Sequence, residues 1–172
     1  DACHPGRTLL NDNPLECQTC NAGHYQPTIP LSTDVACIAC EVGLYIKDKA
    51  IKRLNHDNIN DCKPCPKGRE FTTTTTLCQV CSAGKFQDTI TSDAKICTAC
   101  SAGRHLTSSN INASNHDQAS DCLACPKGRE FTTITTICQV CPGGYFQDTI
   151  TTDAKKCRAC SAGRFIADDS DD

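Results

Sequence analysis

The spacing of the cysteines constrains this chain more than any other feature of its sequence. The chain has 172 residues, of which 17 are cysteines, and all except Cys3 fall in eight C-x-x-C pairs. From Cys37 onward the first cysteines of successive pairs are 25, 16 and 19 residues apart, which gives a period of 60. A period of this length indicates tandem repeats.

The period divides the chain into a diverged first repeat and two nearly identical repeats. Only eight of 39 aligned positions differ between 66–104 and 126–164. Near-identity over this length predicts that both copies fold in the same way. The three predicted repeats are 1–61, 62–121 and 122–172.

The two odd cysteines lie at the ends of this pattern. Cys3 takes the place that Cys65 and Cys125 hold in the later repeats, but the other half of its C-x-x-C is not in the chain. Cys160 is not followed by a further cysteine. We therefore expect the chain to be a segment of a longer array of repeats, with the first repeat cut at its N terminus and the third at its C terminus.

The composition does not suit a single hydrophobic core. The hydrophobic fraction is 38%, but it includes the 17 cysteines, and Trp and Met are absent. So high a cysteine content is typical of disulfide scaffolds, in which covalent links replace burial. We predict small disulfide-rich repeats that form an elongated rod of tandem single-disulfide loops, with short β-hairpins and little helix.

Glycines and aromatic residues keep a fixed register with the cysteines. Nine of the ten glycines lie three residues after the second cysteine of a pair or after Cys3, and every Phe and Tyr lies four to six residues after such a cysteine. Glycine favours turn conformations that other residues resist. The register predicts a turn at each glycine and an aromatic ring over a disulfide as a miniature core.

Two further patterns predict local structure. The threonine-rich runs 72–76 and 132–136 suit β-strands, and they also fit O-glycosylation. The longest loops contain NHDNINDC at 55–62 and NHDQASDC at 115–122. There Asn55 and Asn115 are predicted to cap one short helical turn before the cysteine.

Charge and hydropathy exclude some partners. The net charge is −3 with acids and bases mixed, so the chain lacks the basic stripe of a nucleic-acid-binding protein. No segment has the length and apolarity of a membrane span. The acidic end, which contains Asp168, Asp169, Asp171 and Asp172, is interpreted as solvated linker.

C-x-x-C pairs are used for zinc binding, for redox exchange and for structural disulfides. A zinc site needs four ligands, and the spacing of two C-x-x-C pairs permits one. A thioredoxin-like redox pair needs a strand-to-helix context that this sequence lacks. An unbroken series of pairs gives zinc no unique set of four, so disulfides are favoured and no metal or other cofactor is predicted.

Disulfide connectivity does not follow from spacing alone. One scheme explains the odd cysteines: each second cysteine opens a loop that the next first cysteine closes, so that Cys3 is paired and only Cys160 stays unpaired. Its pairs are Cys3–Cys17, Cys20–Cys37, Cys40–Cys62, Cys65–Cys78, Cys81–Cys97, Cys100–Cys122, Cys125–Cys138 and Cys141–Cys157.

These motifs resemble a known family. The segments CPKGREF (125–131), CPGGYF (141–146), CSAGKF (81–86) and CSAGRF (160–165) resemble the ephrin-receptor-like cysteine-rich repeats, relatives of the tumour necrosis factor receptor modules. The resemblance covers essentially the whole chain, and it implies the same disulfide order. It also implies an extracellular or cell-surface protein, of the large multi-repeat kind found in protists and algae.

Other polar residues are candidate sites. Asn112 lies in the sequon Asn-Ala-Ser and is predicted to be N-glycosylated. Four aspartates of the long loops are candidate calcium ligands, although capping and turn roles are favoured. His56 and His116 recur at equivalent positions without a recognisable nucleophile or acid, so a turn role is favoured over catalysis. The aspartates are Asp57, Asp61, Asp117 and Asp121.

Two binding functions fit these observations, and enzymatic activity does not. The first is a structural segment of a long extracellular glycoprotein, such as a filament, flagellar hair, cell wall or surface coat. Its partners would be copies of itself, other extracellular structural proteins and glycans. The second is the ligand-binding or stalk region of a cell-surface receptor. Near-identity of the repeats favours the first, because uniform repeats suit uniform neighbours.

Overall fold

Regular structure in this protein consists of very short strands in two-stranded sheets. The computed structural model describes residues 3–10, 13–30, 35–48, 50–90, 92–108, 111–150 and 153–166. Eight two-stranded sheets occur in these ranges, together with four single turns of 3-10 helix, and no α-helix. The predicted class of small disulfide-rich repeats with short hairpins and little helix is confirmed.

Each sheet joins two strands that follow one another along the chain. The first pair has a register shift between Leu9 and Leu10. The pairs are β1 (Arg7–Leu10) with β2 (Asn13–Thr19), β3 (His24–Tyr25) with β4 (Ile38–Ala39), β5 (Leu44–Tyr45) with β6 (Lys63–Pro64), β7 (Arg69–Glu70) with β8 (Gln79–Val80), β9 (Lys85–Phe86) with β10 (Thr98–Ala99), β11 (Arg104–His105) with β12 (Leu123–Ala124), β13 (Arg129–Glu130) with β14 (Gln139–Val140), and β15 (Tyr145–Phe146) with β16 (Arg158–Ala159).

The strand positions follow directly from the cysteine pattern. From β3 onward, the first strand of a hairpin starts right after a recurring glycine, and the second is the dipeptide inside the next C-x-x-C. In the hairpin of β3 and β4, Tyr25 lies opposite Ile38 and His24 opposite Ala39. The dipeptide within each C-x-x-C therefore closes the hairpin of its own loop, in addition to linking two loops.

All eight predicted cysteine pairs are disulfides in the structure. They enclose loops with sequence separations of 13 to 22 residues, and their Cα–Cα distances lie between 5.6 and 5.8 Å. Cys160 is a free, half-buried cysteine. In every C-x-x-C except Cys157/Cys160, the two cysteines belong to different disulfides, as the sequential scheme predicts.

The threonine-rich runs are turns, and the prediction of strands there is wrong. In the first run, the Thr76 hydroxyl accepts a hydrogen bond from the Thr73 backbone N–H at 3.2 Å and donates one to the Thr73 carbonyl at 3.2 Å. The same two bonds join Thr133 and Thr136 in the second run. Threonine hydroxyls compete with sheet formation by bonding the local backbone, and here they stabilise the turn.

Each long loop contains the predicted helical turn, but a different residue begins it. The turns before the cysteines are Ile59–Asp61 and Ala119–Asp121. They begin at Asn58 and Gln118, whose backbone N–H groups donate to the carboxylates of Asp61 and Asp121 at 2.9 Å. Asn55 and Asn115 instead end an earlier pair of turns, Arg53–Asn55 and Ala113–Asn115.

The chain forms two compact units, and each contains two small core clusters. One unit comprises Asp1–Gln79 and Thr89–Ile96, and the other comprises Val80–Asp88 and Cys97–Asp172. The boundary falls within the second sequence repeat. Every cluster contains cysteines of a disulfide together with a few larger side chains. Crosslinks thus take the place of a large apolar core.

Candidate functional site: the junctions between disulfide loops

Backbone hydrogen bonds join consecutive loops at the recurring glycines, which we call the junction glycines. The Gly6 N–H donates to the Gln26 carbonyl at 2.8 Å, and the Gly6 carbonyl accepts from the Cys20 N–H at 2.9 Å. Gly128 makes the corresponding bonds to the loop that follows it, at 2.8 and 2.9 Å. All nine junction glycines have positive φ, between 73° and 96°. They are Gly6, Gly23, Gly43, Gly68, Gly84, Gly103, Gly128, Gly144 and Gly163.

Some junction glycines also lie against the backbone of a later loop. A Cβ atom on Gly23 would lie 2.1 Å from the Thr74 carbonyl oxygen, and one on Gly43 would lie 1.9 Å from the Ser92 carbonyl oxygen. No side chain fits at such distances. Glycine is therefore required there both for its turn conformation and for the close approach.

A buried glutamine lies three residues after three of the junction glycines. The Gln26 side chain donates from Nε2 to the Ala36 carbonyl at 3.1 Å, and its Oε1 accepts from the Thr28 N–H at 3.2 Å and hydroxyl at 2.9 Å. Because its polar atoms have partners, the amide can be buried without a large penalty. Gln87 and Gln147 are buried at the equivalent positions of the later repeats.

The sequence reasoning missed these glutamines, although a signal was present. The pattern Gln-x-Thr recurs at 26–28, 87–89 and 147–149. At the same position after other junction glycines the buried residue is apolar: Ile46, Phe71, Leu106 or Phe131. This position therefore faces inward after seven of the nine junction glycines, and its occupant is glutamine in three of them and a large apolar residue in four.

His56 and His116 connect neighbouring loops, a larger role than the predicted turn. Both side chains are fully buried. Each Nδ1 lies 2.8 Å from a carbonyl oxygen of the preceding loop, that of His24 or Lys85, so Nδ1 carries the proton that is donated. The carbonyl of each histidine in turn accepts from the backbone N–H of Gln26 or Gln87. Both Nε2 atoms are buried without a hydrogen-bond partner.

The predicted packing of aromatic rings on disulfides is confirmed at the buried rings, with one refinement, whereas Tyr145 and Phe165 are exposed. Tyr25 clusters with Cys40 and Cys62, and Tyr45 clusters with Cys65 and Cys78. Each tyrosine covers the disulfide that follows its own loop. The ring therefore spans the junction that the C-x-x-C dipeptide forms, and it ties two loops together.

At one junction a histidine replaces this tyrosine. His105 occupies, just before the third repeat, the position that Tyr45 occupies one period earlier, and its Nδ1 lies 3.2 Å from the Cys138 sulfur. The donor atoms of His105, Cys125 and Cys138 lie within 4.8 Å of one another. Because the two cysteines form a disulfide, neither offers a thiolate to zinc.

The remaining predicted site residues have local roles. The Asp61 and Asp121 carboxylates accept the capping hydrogen bonds described above, which supports the favoured capping role. In the described part of the chain, the group of His105 and its two cysteines is the one set of three or more potential metal ligands, so the four aspartates do not converge. Asp57 and Asp117 are half-buried beside the buried histidines.

Asn112 is exposed, as a glycosylation acceptor must be. Its Oδ1 accepts hydrogen bonds from the Ser114 N–H at 3.2 Å and the Ser114 hydroxyl at 2.8 Å, so it begins the turn Ala113–Asn115. The predicted modification itself stays a prediction.

A second polar turn distinguishes the first long loop. Partial burial would raise the pKa of Asp48, but hydrogen bonds from the Ile51 and Lys52 backbone N–H groups and from the Asn55 amide lower it overall. In the other long loop Ser108 occupies this position and accepts from Asn115 at 3.2 Å. The hydrogen bond from the asparagine side chain is thus kept with a neutral acceptor in one loop and a charged one in the other.

The surface carries shallow grooves. One of about 390 Å³ lies beside the first threonine-rich turn, where the Arg69 guanidinium donates to the Cys78 carbonyl at 2.9 Å. Another, of about 250 Å³, is lined by acids and bases near Gln147, including the ion pair of Asp148 and Arg158 at 3.0 Å. Catalysis requires a preorganised site. The expectation that the chain is not an enzyme stays a prediction.

Two comparisons with known proteins gave no match. No protein-family model matches the chain, and a search of curated proteins found no significant match. Within the described ranges, none of the helical segments is long and apolar enough to span a bilayer. Eight disulfides in so short a chain are typical of secreted and extracellular proteins.

Proposed function

We propose that the chain is a structural segment of a long extracellular repeat glycoprotein, one that assembles with copies of itself or with similar proteins. Nearly identical repeats present the same surface at regular positions along the chain, so each can bind an identical neighbour. This arrangement suits a filament, flagellar hair, cell wall or surface coat. The proposal includes a glycan on Asn112 and the likeness to ephrin-receptor-like repeats described above.

The observation that carries this proposal is an exposed isoleucine that recurs in all three repeats. Ile29, Ile90 and Ile150 each directly follow the Gln-x-Thr sequence and are 50%, 58% and 66% exposed. Before Ile29 and Ile150, the buried glutamine accepts a hydrogen bond from the backbone N–H of the threonine, which fixes the chain just ahead of the isoleucine. Exposed apolar groups at regular intervals favour a repetitive interaction with an equally repetitive partner.

Association of the chain in solution tests this role. We expect the chain to self-associate in sedimentation velocity, and we expect Ile90→Ser combined with Ile150→Ser to weaken association at least roughly tenfold, because burial of two such side chains is lost. Ile96→Lys is the matched control, since Ile96 is 73% exposed but Lys156 occupies its place in the third repeat. If the control weakens association as much as the double variant, the recurring isoleucines are not the contact.

The native assembly separates this proposal from a receptor. Antibodies against 62–121 are expected to label a regular polymer at even intervals in electron micrographs of the isolated full-length protein. A monomer that binds a soluble partner saturably through these repeats would instead support the ligand-binding or stalk region of a receptor.

A further inference from the structure

We propose that the Cys125–Cys138 disulfide is a site of thiol–disulfide exchange with dithiols, and that His105 donates a proton to its departing sulfur. This inference goes beyond the proposed structural role and does not depend on it. It begins from the distance of 3.2 Å between His105 Nδ1 and Cys138 Sγ. A disulfide sulfur carries no hydrogen, so a hydrogen bond at this contact requires the proton to be on Nδ1.

The chain contains a matched disulfide without this histidine. Cys65–Cys78 and Cys125–Cys138 both close loops with a sequence separation of 13, and all four cysteines are buried. In both loops an arginine donates to the carbonyl of the closing cysteine, at 2.9 Å in the first and 3.2 Å in the second. The residue packed on the disulfide differs: it is Tyr45 in the first and His105 in the second.

The reaction proceeds in two balanced exchanges. A thiolate of the dithiol attacks Cys125 Sγ and forms a mixed disulfide, while the bond to Cys138 breaks and its electron pair leaves with the Cys138 sulfur. That sulfur takes the proton from His105 Nδ1. The second thiol of the reagent then attacks its own sulfur in the mixed disulfide, so that Cys125 is released as a thiol and the reagent becomes a cyclic disulfide.

A protonated imidazole accelerates the first exchange because it stabilises the departing sulfur of Cys138. A departing sulfur leaves faster when its thiolate is stabilised, and a nearby cation stabilises a thiolate. The charged groups on the strands around His105 are Arg104, Arg129 and Glu130. Arg104 donates to the Cys122 carbonyl and Arg129 to the Cys138 carbonyl. The Glu130 carboxylate accepts from the Cys157 N–H at 3.0 Å and pairs with Lys156 at 3.9 Å. Histidine is the side-chain type whose charge ordinarily changes near neutral pH.

The test is a competition between the two matched disulfides of the same oxidised chain. The chain is treated with limiting dithiothreitol, free thiols are trapped by alkylation, and peptide mass spectrometry gives the opening rate of each disulfide. We expect Cys125–Cys138 to open on the order of three- to tenfold faster near pH 6, and the ratio to fall toward one above about pH 8. Because both disulfides react in the same sample, the ratio of their opening rates does not depend on the ionisation of the reagent. The two sites are also equally buried, so burial does not affect the ratio.

Reciprocal variants assign the effect to the histidine. His105→Tyr introduces the residue of the matched junction and is expected to remove the rate advantage. Tyr45→His is expected to increase the rate at Cys65–Cys78, but less, because Lys63 lies opposite position 45 in the hairpin and disfavours a second cation. A wild-type ratio that stays near one at every pH overturns the proposal, as does a ratio unchanged in the folded His105→Tyr variant; the wild-type pH profile decides the question if the variants do not fold.

Discussion

The two long loops, Cys40–Cys62 and Cys100–Cys122, have equal length but share few side chains. Both have a sequence separation of 22, and only six of the 21 enclosed positions are identical. The identical residues include the junction glycine, the buried histidine and the aspartate that accepts the capping bond. Differences fall mainly on the surface, as in Asp48 against Ser108 and Ile59 against Ala119.

This comparison teaches which residues define a loop of this kind. Both histidines donate a hydrogen bond to a carbonyl of the preceding loop, and both aspartates accept the hydrogen bond that caps a helical turn. Most variable residues face solvent or make bonds that a different polar group can make. The exceptions are Tyr45 against His105, which contact the following disulfide, and the buried pair Ile46 against Leu106. Substitutions at the shared glycine, histidine and capping aspartate should therefore cost far more stability than substitutions at the variable surface positions.

The largest effect is expected at the junction glycine of the first long loop. Gly43→Ala places a Cβ 1.9 Å from the Ser92 carbonyl oxygen at a φ of +96°, so it combines a backbone clash with conformational strain. We expect the free energy of unfolding to fall by about 3 kcal/mol in denaturant titrations with the disulfides intact.

Gly128→Ala is the control for that variant. Its φ is +76°, but a Cβ added there would have nothing within 4 Å, so strain acts alone and the expected cost is about 1 kcal/mol. Equal losses at the two positions would show that the close approach at Gly43 contributes nothing.

The buried histidines should come next. His56→Ala and His116→Ala each remove a hydrogen bond from a fully buried side chain and leave the carbonyl of His24 or Lys85 without this donor, at an expected cost of about 2 kcal/mol. Asparagine places a donor near the position of Nδ1, so His116→Asn should recover part of the loss. Because the two sites share their geometry, costs that differ widely between them would contradict the comparison.

The smallest effect concerns the variable turn. The pKa of Asp48 is lower in the folded protein, so its contribution to stability is complete above the unfolded value of about 3.9 and is lost as the pH falls through the folded value. As the pH falls, we expect the rate of amide hydrogen exchange at Lys52 to rise more than the intrinsic exchange rate does. We expect Asp48→Ser to remove this additional rise. Asn112 occupies the position of Lys52 in the loop that has Ser108, so its amide is the internal control and should show no such step.

The covalent framework can be predicted from the sequence, whereas its side-chain contacts cannot. The sequential disulfide order is one scheme that the cysteine register allows and that the resemblance to ephrin-receptor-like repeats implies, and the glycine register predicts the turns. Intrinsic preference predicts a strand at Thr72–Thr76, and side-chain bonds within the run override that preference.

The inter-loop residues escape sequence reasoning for a physical reason. A glutamine that follows a turn looks solvent-exposed in sequence, and only the folded loop supplies the Ala36 carbonyl and the Thr28 groups that satisfy Gln26. His56 likewise acquires its partner from a residue 32 positions away. Contacts over that distance have no local signature, although recurrence at fixed positions identifies them afterwards.

The sequential closure of the disulfides has a consequence for biosynthesis. Every crosslink joins a cysteine to the next one available in the chain, at a separation of 22 residues or fewer. A loop can therefore close while later loops are still being synthesised, and no cysteine must wait for a distant partner. Such a chain can mature from its first residue toward its last, and lengthening the array adds no new pairing problem to folding.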